Sequence, residues 1–321
     1  MKLILSTFAA GIVFAGAAIH GAAAETSRLA PLLSAAELVS VQATEQPLLL
    51  DIRQGQDSDG RSLYAAGHVP GSVEAPYALW RGPPDDAGRM HDEAELTRLF
   101  RSLGVETDRP VVVIHQGRNE SDFGSAARVY WTLKTGGVKH LSILNGGVAA
   151  WVADGRPLST EATAPVPSDI TVTIDPTWLA TRELVLSVVE GEADATLIDA
   201  RPEAFYRGET AAPAAARPGT LPHAKIFTHS RWFDSGPAIV NASAARRLVE
   251  ENGLDNGDTI VSFCNTGHWA ATNWFALSEL GGIDNVKLYP ESMVAWSQAG
   301  LPMENVPGVF QNLWRSVSSW F

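Results

Sequence analysis

The sequence predicts an α/β protein of two similar domains in tandem, each a mainly parallel sheet flanked by helices. Short apolar runs alternate with stretches of helical spacing, the pattern of buried strands joined by crossover helices. The pattern occurs twice, with the same landmarks in the same order, which indicates duplication of one domain. A small, polar, Pro-containing segment, residues 159–168, lies between the copies and reads as a linker.

The landmarks are specific. Leu48-Leu49-Leu50-Asp51-Ile52-Arg53 returns as Thr196-Leu197-Ile198-Asp199-Ala200-Arg201, and residues 111–116 return as residues 259–264. Trp151, Gly155 and Pro157 match Trp296, Gly300 and Pro302, and Gly67-His68-Val69-Pro70-Gly71 has a weaker echo in residues 219–223. This pairing sets Gln116 opposite Cys264 and gives the first copy a longer, charged loop from Gly117 to Gly124. His68 and His115 near it are expected to be structural polar residues.

Taken in order, residues 1–24 form a leader. Lys2 supplies the positive start, residues 3–19 are mostly apolar, and Ala22-Ala23-Ala24 makes a small-residue cleavage site before Glu25. The apolar stretch is interrupted by Ser, Thr and Gly and lacks a stop-transfer pattern, so an exported protein is expected rather than an anchored one. For a bacterial-looking signal that means the periplasm.

The first domain, residues 25–158, has expected strands at 48–52, 111–115 and 141–144 and helices at 93–103 and 125–134. The linker spans 159–170. The second domain, residues 171–306, has expected strands at 196–199, 260–263 and 286–289 and helices at 242–252 and 270–280. A tail, residues 307–321, carries Val309, Phe310, Leu313, Trp314, Val317, Trp320 and Phe321 at roughly helical spacing. It is expected to dock on its own domain, with a dimer contact or a partner surface as alternatives.

The formal charge is −12, and removing Lys2, the leader's one charged residue, takes it to −13. Such acidity argues against nucleic acid or an anionic membrane as partner. The single cysteine allows no internal disulfide. A free thiol in an exported chain points instead to chemistry.

That cysteine, Cys264, closes the apolar run 260–263 and opens the loop Asn265-Thr266-Gly267-His268-Trp269, after which Ala270 begins a helical pattern that ends at Gly281-Gly282. A lone cysteine is ordinarily a small buried hydrophobe. At the carboxyl end of a strand, opening a Gly-containing loop, it sits where open α/β sheets place their ligands. The helix that follows would turn unpaired N–H groups toward the sulfur, which favours the thiolate and makes an anion cradle.

The paired D-x-R strand ends, the G-H-V-P-G turn, the segment LNGGVAAW and one cysteine loop in the second repeat resemble the tandem-domain rhodaneses, the thiosulfate and 3-mercaptopyruvate sulfurtransferases. The resemblance covers essentially the whole chain after the leader. It implies a non-catalytic first domain and a catalytic second one, with Cys264 as nucleophile and Asn265, Thr266, Gly267, His268, Trp269 and Ala270 binding the substrate. It also implies a two-step reaction without metal or cofactor. Cys264 takes the outer sulfur of thiosulfate as a persulfide, and a thiol or cyanide acceptor, or a protein acceptor, removes it.

The loop departs from both family types: it lacks the cations usual for thiosulfate enzymes and the Gly-Ser-Gly pattern usual for mercaptopyruvate enzymes. His268 is then either the anion contact, stronger when protonated, or a neutral ring making a loop hydrogen bond. Trp269 shapes the pocket wall or packs on the first domain. The family's usual arginine four residues after D-x-R is replaced by Phe205, so Arg207 is the expected donor-binding cation, with Arg217 as its substitute; Arg201 is expected to pair internally. The alternatives to a thiosulfate enzyme are a 3-mercaptopyruvate sulfurtransferase and a periplasmic sulfur carrier with a dedicated protein partner. A cysteine phosphatase would need arginine where Ala270 stands, and neither flank of Cys264 suits a papain-like protease.

Overall fold

The computed structural model describes residues 29–308. The leader, residues 1–24, and the aromatic tail positions from Val309 onward lie outside the described residues.

The first domain contains β1 (Leu32–Leu33), α1 (Ala35–Glu45), β2 (Leu48–Asp51), α2 (Leu63–Ala66), β3 (Val73–Glu74), α3 (Glu93–Leu103), β4 (Val111–Ile114), α4 (Glu120–Thr135), β5 (Leu141–Leu144) and α5 (Gly147–Ala153). The second contains α6 (Arg182–Val189), β6 (Thr196–Asp199), α7 (Glu203–Tyr206), β7 (Lys225–Ile226), α8 (Ala242–Glu251), β8 (Ile260–Phe263), α9 (Trp269–Phe275), β9 (Val286–Leu288) and α10 (Ser292–Gln298). The sheet orders are β1-β5-β4-β2-β3 and β7-β6-β8-β9, and every ladder within them is parallel. The central strands β2, β4, β5 and β8 are buried along their whole length, as parallel strands covered on both faces must be.

Local chemistry sets the ends of the helices. Asp92 and Glu95 form a reciprocal capping box at the start of α3, and Gly104 at φ 76° ends that helix. α4 begins earlier than its apolar spacing indicates because Asn119 caps it, accepting the Asp122 amide at 3.0 Å. The long helix expected at 270–280 is α9 followed by a π-helical turn, Ala276–Leu280.

Strand register corrects the alignment of the two copies. Asp51 pairs with Ile114, and Asp199 pairs with Phe263. The residue equivalent to Cys264 is therefore His115, and Gln116 is equivalent to Asn265. The side chains agree: Arg53 reaches the amide oxygen of Gln116 at 3.3 Å, as Arg201 reaches that of Asn265 at 3.3 Å. The loops are also equal in length, Gln116 to Asn119 before α4 and Asn265 to His268 before α9. The expected longer first loop is not there, because its second half is the first turn of α4.

The domains meet where α4 packs on α9. Phe275 contacts Tyr130 and Phe123 edge-on, with ring centroids 5.0 and 5.5 Å apart. Lys134 and Glu279 close this seam with an ion pair at 2.6 Å. The linker is strapped to the first domain rather than tethered loosely. Ser159 pairs with His68, Ser168 with Val105, and Arg101 with the Ile170 carbonyl. Among the described residues no helix is long and apolar enough to cross a membrane.

Candidate active site

The D-x-R motifs have the structural role expected of them. Arg201 grips Asp199 through two nitrogens at 2.8 and 2.6 Å and donates to the Gly219 carbonyl at 2.9 Å. Arg53 repeats this with Asp51 and Gly67. Each is a buried bidentate pair with its remaining donors used, the arrangement that makes burying the two charges tolerable.

Cys264 follows β8 and is 1% exposed. Its amide donates to Ser292 Oγ at 3.0 Å, and its carbonyl accepts the Met293 amide at 3.0 Å. Beyond it, the backbone amides of Asn265, Thr266, Gly267 and His268 have no hydrogen-bond acceptor among the described residues. Buried N–H groups are nearly always paired, with protein or with water. Four in succession after one cysteine form a cradle suited to negative charge. Ala270 is buried just beyond, its carbonyl accepting Ser262 Oγ at 3.0 Å.

The equivalent cradle in the first domain is filled from within. The Asp122 carboxylate accepts the Gly117 amide at 2.6 Å and lies 3.4 Å from the Arg118 amide. It also meets His115 Nδ1 at 3.2 Å and Arg118 Nη2 at 3.1 Å. Although burial opposes it, these partners, His115 first among them, hold the carboxyl well below the usual carboxylate range. A cavity of about 390 Å³ opens beside it, lined by Arg53, Gln116, Asn119 and Ser121 among others, and of the Cys264 loop only His268 lines it.

His268 is the neutral hydrogen-bonding ring of the two readings. Its Nε2 meets the Ser121 carbonyl at 2.7 Å, which fixes the proton there, and its Nδ1 meets the Tyr77 hydroxyl at 3.1 Å. Desolvation first, then the neighbouring Arg81, lowers its pKa to about 4. Trp269 packs on the first domain through Ser121 Oγ at 2.8 Å and stacks on His229, ring centroids 4.8 Å apart. Burial likewise lowers the His229 pKa.

Arg207 requires correction. It is exposed and paired with Glu203 one turn back on α7, because a short surface helix offers that i,i+4 partner and the loop does not. Arg217 donates to the Leu301 carbonyl instead. Besides Arg201 on the Asn265 side chain, two cations reach the loop backbone, Arg81 and Arg128, which sequence reasoning missed because they belong to the first domain. Arg81 Nη2 donates to the Thr266 carbonyl at 3.1 Å, and Arg128 Nη1 lies 3.4 Å from the Gly267 carbonyl and 3.5 Å from that of Thr266. Gly267, at φ 71°, accommodates this approach; a β-carbon there would collide with Arg128 Nη1 and the Pro290 carbonyl.

Two parallel sheets, a strand-end cysteine in one copy and a self-filled cradle in the other define a duplicated α/β enzyme with one thiol site. The family model for the rhodanese-like domain matches residues 34–154 and 183–299, and the chain belongs to that family. It is 31% identical over 274 residues to the thiosulfate sulfurtransferase of Pseudomonas aeruginosa, covering 85% of this chain and 92% of that protein. It is 31% identical over 255 residues to the sulfur carrier protein TtuD of Thermus thermophilus, covering 75% and 86%. The crystal structure of the 3-mercaptopyruvate sulfotransferase SseA from Escherichia coli superposes with a TM-score of 0.69 at 25% identity, covering 82% of this chain and 99% of that one. The protein is a sulfurtransferase of the two-domain rhodanese type.

Proposed function

We propose that the protein is an exported, periplasmic thiosulfate sulfurtransferase acting through a persulfide on Cys264. The observation that carries this reading is the run of four amides, directly after the single cysteine, with no acceptor among the described residues. The Cys264 thiolate attacks the outer sulfur of thiosulfate. A new S–S bond forms, the old one breaks, and its electron pair leaves with sulfite. Cyanide or a thiol acceptor then attacks the terminal sulfur, and the electron pair of the broken bond restores the thiolate. The loop amides stabilise the charge on the sulfur throughout. The leader, residues 1–24, accounts for export in this reading.

Both donor types have a relative behind them, a thiosulfate enzyme and a mercaptopyruvate enzyme. Thiosulfate is preferred because Arg81 and Arg128, drawn up to the loop carbonyls, place positive charge beside the loop, which suits a dianion. Steady-state assays with thiosulfate and with 3-mercaptopyruvate, each with cyanide as acceptor, decide the donor. Higher kcat/KM for thiosulfate is expected, and the opposite ranking would reassign it. The likeness to a sulfur carrier supports a second reading, a module that passes its persulfide to a protein partner. Persulfide formation without turnover on small acceptors would favour it.

A further inference from the structure

Arg128 stands out among the buried cations. Arg53 and Arg201 each hold an aspartate, whereas Arg128, 0% exposed, has no carboxylate within ion-pair distance among the described residues. Its partners are backbone carbonyls, Gly88 at 3.2 Å and those of the catalytic loop, and the face of Trp131 at 5.1 Å; its Nε has none. Arg81 is similar, donating to the Ala87 and Thr266 carbonyls and the Tyr77 hydroxyl. A buried guanidinium without a counter-charge is costly. Burial draws the Arg128 pKa down to about 10.

The geometry points to Arg81 and Arg128 of the first domain as positioning residues for the cradle of the second. In a trans peptide the C=O and N–H lie on opposite edges of one plane. Guanidinium groups drawn up to the Thr266 and Gly267 carbonyls thereby turn the Gly267 and His268 amides the other way, toward the sulfur. The same groups bring positive charge to the loop that carries Cys264, since Arg201 of its own domain is already paired with Asp199. The first domain, whose own cradle is closed by Asp122, thus completes the active site of its twin. This rests on the sulfur-transfer reading for its purpose but not for its test. The other titratable or charged groups around the loop are Tyr77, Asp122 and Glu120 from the first domain, and His229, His268 and the Arg201–Asp199 pair from the second.

The test uses the whole chain with Arg128→Gln, Arg81→Gln and Arg128→Lys. Two quantities are read: the ultraviolet thiolate absorbance at neutral pH, with Cys264→Ser as baseline, and the single-turnover rate of persulfide formation from thiosulfate. The glutamine variants should lose thiolate absorbance and form persulfide about ten- to a hundredfold more slowly. Arg128→Lys should recover the absorbance, since charge is kept, but not the full rate, since the fork is lost. Folded glutamine variants with wild-type absorbance and rate would overturn the proposal. If Arg128→Gln does not fold, Arg81→Gln decides, because Arg81 is partly exposed. If wild type itself forms no persulfide, the sulfur-transfer reading has failed, and the thiolate absorbance alone still decides the role of the arginines.

Discussion

At the scale of single residues, His268 shows how the second domain depends on the first. Its two ring nitrogens are both spent on first-domain groups, Tyr77 and Ser121, so it anchors the loop as a neutral ring. The folded-state pKa, about 4, is below the ordinary 6.5. The unfolded chain therefore binds the proton more readily, and stability falls as pH drops from about 6.5 toward 4. Thermal unfolding across that range should show the loss, and His268→Gln should flatten it. A variant with the same pH dependence as wild type would remove His268 from the account. Cys264 and its loop were legible in the sequence because a strand end, a glycine and a helix pattern fall in register there. The arginines were not, since Arg128 lies well over a hundred residues from Thr266 in sequence and meets it only after α4 packs on α9.

At the scale of elements, the two strand-end loops are equal in length but use their amides differently. After Cys264 four amides have no acceptor among the described residues; in the other loop the Gly117 and Arg118 amides turn to Asp122. Replacing Asp122 by alanine should unfill the first cradle and lower stability by about 2–3 kcal/mol in urea unfolding, with Asp122→Asn costing less. No loss in the alanine variant would mean that the amides are satisfied some other way. The sequence placed most strands within a residue of their observed bounds, because continuous apolar runs are hard to mistake. The equivalence of Gln116 and Cys264 failed for a physical reason. The segment between β6 and β8 is one residue longer than that between β2 and β4, and only the hydrogen-bond register shows where the extra residue falls. Short edge strands such as β1 and β7, two residues each, carry no periodicity to read.

At the scale of the whole molecule, duplication has divided the labour. The second domain keeps the thiol, while the first supplies Tyr77, Arg81, Ser121 and Arg128 to the loop around it. The second domain expressed alone, residues 171–306, should lack sulfur-transfer activity even where it is soluble, because the face of α9 that meets α4 is uncovered and the loop is unclamped. A soluble fragment with the activity of the full chain would contradict this division. The tandem architecture was legible from the repeat, and the half that carries the thiol from the single cysteine. The dependence of one half on the other was not, since an interface pairs residues that no local pattern links.

The central claim is tested most directly by intact mass after incubating the purified protein with thiosulfate alone. A gain of one sulfur atom, removed by cyanide and absent in Cys264→Ser, is the predicted result. An equal gain in Cys264→Ser would contradict the account, because the sulfur would then be carried by a group other than the cysteine around which the two domains close.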